Sequence, residues 1–341
     1  MQNENEINVV KAHRPTIKQA SILFTIAVLL FVTLGTRIQR YDVLKGVLIT
    51  EFVLILGSAL FYLKVGKYNL KEVLRLNNPG ITPFILTFFI MLFMLPVILI
   101  LNLGNLMVIK YLFGRILVNQ LPSATNTASL LVNIAIIGGS AGICEETLFR
   151  GVIQRAYESM GWRKGILLTA FLFGMMHMDF QKLLGTFLLG FLIGYLVYKT
   201  NSLFVGMFAH FCNNSFAVYL AYIATKYSGK ASTTSGNGEL DLSALTNLPA
   251  AQIIAVIIVY FVIFAICLLV VMSLIRALRR NADRKEAVDT VQDIQVVEYR
   301  GLLYTVPAVL LIFAFYFYEG YKLSFMEVPI LGEVLKFIMG G

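Results

Sequence analysis

The sequence predicts an all-α fold: a polytopic transmembrane helical bundle of about eight to nine membrane helices. Three observations predict it. Only 14% of the 341 residues are charged and 58% are hydrophobic, against roughly 25% and about half in a soluble domain. The mean hydropathy is +0.78. Apolar stretches of about 20 residues recur along the whole chain, each long enough to cross a hydrocarbon core of roughly 30 Å. A soluble globular enzyme and a disordered chain are both excluded.

Nine crossings are predicted in order, near 19–36, 46–64, 82–103, 127–150, 164–178, 182–198, 203–224, 251–275 and 302–319. The first follows a polar leader bearing Glu4 and Glu6 with no small-x-small cleavage site after it, so it reads as a signal anchor. Segments five to seven are separated by only a few residues and are expected as adjacent antiparallel helices. The whole chain, 1–341, reads as one integral membrane domain, with a catalytic core of four helices at 127–224. The stretch 227–250, rich in Ser, Thr and Gly, reads as a flexible external loop. The stretch 276–300, with mixed charges, reads as a solvated and partly helical cytoplasmic connector. Trp162 beside Arg163 and Lys164 suits an interface anchor.

Charge supplies the orientation. The net charge is +9, and almost all Lys and Arg lie at the ends of apolar segments. Seventeen fall on the N-terminal side of the bundle and ten on the other. The positive-inside rule then places the N-terminus in the cytoplasm of a plasma-membrane protein, with anionic lipids as the partners of the basic ends. No basic patch interleaves with aromatics, so nucleic acid is not expected as a partner. The cysteines Cys144, Cys212 and Cys267 all sit in apolar segments and form no disulfide or zinc-knuckle framework.

Arg150 fits neither set of loops. It closes the run Ile143-Cys144-Glu145-Glu146-Thr147-Leu148-Phe149-Arg150. Two adjacent carboxylates after an apolar run cost roughly 2.5–3.5 kcal/mol each near mid-helix, so something must use or pair them. Glu146 and Arg150 are i,i+4 with the acid N-terminal, the better order for an ion pair within one helix. Glu145 points about 100° away and is expected to face the bundle unpaired, as a general base or acid. A solvated helix end is the plainer alternative.

Of three histidines, His13 in the leader is expected to be inert. His177 shares a helix face with Phe173, and His210 shares one with Asn214. At ~1.5 Å per residue, His210 lies roughly 10 Å and His177 about 20 Å from the cytoplasmic helix ends. Glu145 reaches the same depth if the fourth helix continues past Arg150 toward Glu158. Gly138, Gly139, Ser140, Ala141 and Gly142, and the GxxxG of Gly190 and Gly194, would allow close helix approach.

Glu145-Glu146-x-x-x-Arg150, then Phe173-x-x-x-His177, then His210-x-x-x-Asn214, on successive membrane helices, resemble the motifs of the CPBP family of intramembrane proteases. That family includes CAAX prenyl endopeptidases and bacteriocin-processing or immunity proteins, and the resemblance covers about 127–224. It implies hydrolysis of a peptide bond in a membrane-associated or lipid-modified peptide or protein. Glu145 would activate water, with His177 orienting it or sharing its proton. His210 and Asn214 would bind the oxyanion or the activated water, and Glu146 with Arg150 would brace the helix. No cofactor is required in this reading. The alternative is zinc held by Glu145, His177 and His210, which would make Glu145 a ligand in place of a base. Rival readings are a cysteine protease using Cys144, a non-catalytic immunity or scaffold protein, and a proton-coupled transporter.

Overall fold

The computed structural model describes residues 14–114, 116–117, 124–227, 248–283 and 297–323. Among these residues eight helices are long and apolar enough to cross a membrane. They are α1 (Ile17–Tyr41), α2 (Val43–Val65), α4 (Ile81–Phe113), α5 (Thr127–Met160), α7 (Leu183–Thr200), α8 (Leu203–Tyr227), α9 (Ala250–Asp283) and α10 (Tyr299–Leu323). Between them lie a short helix α3 (Leu70–Val73) and the fifteen-residue α6 (Trp162–Met176). The chain is an integral, multi-pass helical membrane protein.

The segment expected at 164–178 is therefore present as α6 but is short. Fifteen residues rise roughly 22 Å at about 1.5 Å each, less than a full hydrocarbon core of roughly 30 Å. It packs along α7, and α7 packs along α8, as the tight connections required. The stretch 276–283 continues α9 as helix. The remainder of that connector, and most of the stretch read as an external loop at 227–250, lie outside the described residues.

Local chemistry sets the helix starts. Thr16 caps α1 and forms a reciprocal box with Gln19. The Asp42 side chain accepts from the Lys45 amide to start α2. Asn126 caps α5, again with a reciprocal bond from Ser129. Each satisfies an amide that the first turn leaves without a helical partner.

Two features place the motif-bearing helices. Gly142 lets α5 and α8 approach backbone to backbone: a methyl group there would sit 2.9 Å from the Met207 carbonyl oxygen. On the cytoplasmic side expected from charge, the chain after α3 is stitched to the turn before α8. Leu203 N–H donates to Arg75 O at 3.0 Å, Ser202 Oγ donates to Asn77 O at 2.7 Å, and Asn77 Nδ2 donates to Asn201 O at 2.8 Å. The Arg75 guanidinium also pairs with Glu158 near the end of α5. The start of α8 and the end of α5 are thereby tied to the same short segment. Trp162 stacks on Tyr198 of α7 at 5.2 Å between ring centroids.

Candidate active site

Helix α5 continues unbroken past Arg150 to Met160, so the Glu pair lies within the helix and not at a frayed end. Glu146 and Arg150 form the expected ion pair, Arg150 Nη1 donating to Glu146 Oε1 at 2.8 Å, and both side chains are fully buried. A buried guanidinium needs more than one acceptor. Arg150 finds a second in the Gly190 carbonyl, 3.0 Å from Nη2, and lies 4.3 Å over the Phe173 ring. Gln154, one turn on, donates to the Gly194 carbonyl at 3.1 Å. The two glycines of α7 make this possible. A methyl group at Gly190 would meet Ala170 Cα at 3.2 Å, and one at Gly194 would meet Gln154 Oε1 at 2.6 Å.

His210 joins this buried group. Its Nδ1 donates to Glu146 Oε1 at 2.8 Å, and the residue is 2% exposed. Glu146 thus receives both Arg150 and His210. Phe173 is the hub between the motifs. Its ring lies 5.1 Å from that of His177 and 5.8 Å from that of His210, both edge-on.

Glu145 points the other way. It lines a cavity of about 270 Å³ together with His177 and Asn214, walled by apolar side chains of α1, α2, α5 and α6 such as Phe31, Val47, Ile55, Phe149 and Met176. Its Oε2 is buried and accepts no hydrogen bond from the described residues. His177, at the C-terminal end of α6, donates from Nδ1 to the Phe173 carbonyl at 3.0 Å. That bond fixes the tautomer and leaves Nε2 with its lone pair. Asn214 donates from Nδ2 to the Ile137 carbonyl at 3.2 Å and accepts from Asn213 at its Oδ1. Its other amide hydrogen has no acceptor among the described residues.

Three of the four residues expected in the chemistry therefore share a cavity, and His210 stands beside it on Glu146. A fourth polar group of that cavity escaped the sequence reading. Glu51 of α2 lines it and is 8% exposed. Its signal was a lone carboxyl inside the second apolar segment, a costly placement that marks a functional candidate. Cys144 is wholly buried. Among the described residues no three His, Cys, Asp or Glu side chains form a group that could hold a metal ion. In the directions of their donors, His177 is bonded to a carbonyl and His210 to Glu146.

No curated protein and no solved structure matches the chain. Residues 127–216 do match the family described as "Type II CAAX prenyl endopeptidase Rce1-like". The matched stretch holds all three motifs, from the Glu pair on α5 to Asn214 on α8, and over it the chain is similar to that endopeptidase family.

Proposed function

We propose that the protein is an endopeptidase that cuts a peptide bond of a CAAX-type, lipid-modified or membrane-associated substrate, using water activated by Glu145. The observation that carries this reading is the shared cavity: a carboxylate with a free buried oxygen, an imidazole with a free Nε2 and an amide with an unused hydrogen all face one apolar space. The family match over 127–216 supports peptide hydrolysis as the reaction class.

In this mechanism the Glu145 carboxylate takes a proton from water as the water oxygen adds to the scissile carbonyl carbon. Negative charge gathers on the carbonyl oxygen, where Asn214 donates its spare amide hydrogen. The C–N bond then breaks, and the proton held by Glu145 passes to the departing amine nitrogen. His177 Nε2 accepts a hydrogen bond from the water and aims its lone pair. His210 spends Nδ1 on Glu146, so its Nε2 is the nitrogen left to contact the water or the oxyanion. Glu146, Arg150 and Phe173 hold His210 and the helix around it. No metal takes part in this scheme, and 127–224 is its catalytic core.

The test is a quenched-fluorescent, farnesylated peptide ending in Cys-aliphatic-aliphatic-X, given to the purified full chain in lipid nanodiscs. Cleavage after the prenylated cysteine is the expected result. An intact peptide, with wild-type protein folded, overturns the reading.

A further inference from the structure

Glu145 is not the only carboxyl group in the cavity. Glu51 comes from α2, ninety-four positions earlier, and lines the same space. It is more than nine-tenths buried, and its Oε2, like that of Glu145 in the same cavity, has no hydrogen-bond partner among the described residues. The wall around it is apolar, built by Phe31, Val47 and Ile55. Of the segments packed against it, the turn Phe31–Gly35 carries no charge, and Lys45 at the start of α2 is exposed and paired with Asp42. Arg150 on α5 is engaged with Glu146, and His177 faces it across the cavity.

Two carboxyl groups hydrogen-bond to one another only through a proton that one of them carries. A general base must be the ionised member. We propose that Glu51 is a positioning residue whose carboxyl O–H donates to the Glu145 carboxylate, fixing its rotamer so that the other oxygen faces the attacking water. This rests on the reading of Glu145 as the base. It gives the chemistry a component from outside the matched stretch 127–216. An unanchored carboxylate in this cavity would sample orientations that miss the water, and catalysis falls steeply with such misplacement.

The experiment compares Glu51→Met and Glu51→Gln with wild type, using the farnesylated peptide and nanodiscs described above. Met keeps the length, suits the apolar wall and removes the donor; Gln restores a neutral donor at the same place. Glu51→Met is expected to lower kcat at least about tenfold with KM within about twofold, while Glu51→Gln stays within about threefold of wild type. The unfolding midpoint of Glu51→Met should equal or exceed that of wild type, since a buried polar group is gone. Full kcat in Glu51→Met overturns the proposal. So does a Glu51→Gln variant that loses more than about tenfold, an outcome that decides the matter even if the Met variant fails to fold. Wild-type protein that leaves the peptide intact overturns this proposal together with the proteolytic reading. Wild-type cleavage alongside an unaffected Glu51→Met overturns this proposal alone.

Discussion

Glu145 and Glu146 are neighbours in the chain, yet their carboxyl groups serve two separate environments on different faces of α5. Glu145 opens onto the apolar cavity with a free buried oxygen, whereas Glu146 is wholly enclosed and neutralised by Arg150. The helix makes this division by its rotation of about 100° per residue. The two substitutions at these positions should therefore fail in different ways.

Glu145→Gln keeps size and removes the base. Peptide cleavage should drop below about a tenth of the wild-type rate while the unfolding midpoint stays within a few degrees. His177→Ala should be comparably damaging in kcat, because it removes the Nε2 that faces the same cavity. A Glu145→Gln variant that cuts at near wild-type rate would assign the base elsewhere.

Glu146→Ala or Arg150→Ala leaves a charge without its partner in a fully buried site, which costs about 3–5 kcal/mol. Each single variant should unfold earlier in detergent. The double variant should lose less than the sum of the two, and thermal unfolding across the four proteins measures that coupling. His210→Ala should couple to Glu146→Ala in the same way, since His210 and Arg150 both bond to Glu146 Oε1. Strict additivity would show that the contacts carry no energy.

Gly142 and Gly139 make a matched pair. A methyl group at Gly142 meets the Met207 carbonyl oxygen at 2.9 Å, whereas one at Gly139 meets nothing within 4 Å. Gly142→Ala should cost about 1–3 kcal/mol through overpacking and should lower cleavage by displacing α8 from α5. Gly139→Ala should be neutral or slightly stabilising, because alanine favours the helix. Melting curves and initial rates on the two variants separate these outcomes.

The charge bias predicts which side each turn faces. With the native cysteines removed, Tyr41→Cys should react with an impermeant maleimide on intact cells. Lys71→Cys should react only after lysis. Both side chains are exposed in the structure. Reversed labelling would invert the orientation.

What could be read from the sequence was what one helix determines alone. The Glu146–Arg150 pair follows from i,i+4 spacing, and the opposite direction of Glu145 follows from the same geometry. The continuation of α5 to Met160, on which the common depth of Glu145, His177 and His210 depended, was a condition that the structure meets. Relations between helices were not legible. His210 sits on Glu146 because α8 is rotated to meet α5, and no local pattern encodes that rotation. Glu51 was missed because a single carboxyl in an apolar segment has no partner at helical spacing; Glu145, with which it shares a cavity, is ninety-four residues away. The shortness of α6 was legible too: the expected segment 164–178 is no longer than the helix, and Asp179, Gln181 and Lys182 follow it at once.

The cavity's walls have two origins. Glu145, His177 and Asn214 come from the stretch that matches the family, while Phe31, Val43, Leu44, Val47 and Ile55 come from the first two helices, which lie outside it. In the proposed function the bond-breaking groups therefore come from one part of the chain, while the walls that would receive a substrate are drawn from both. Exchange of bulk along the 31–55 hairpin, a smaller residue for Val47 or a larger one for Leu44, would change the shape of those walls while leaving the bond-breaking groups where they stand. Related chains can in this way diverge in diet while keeping one set of teeth.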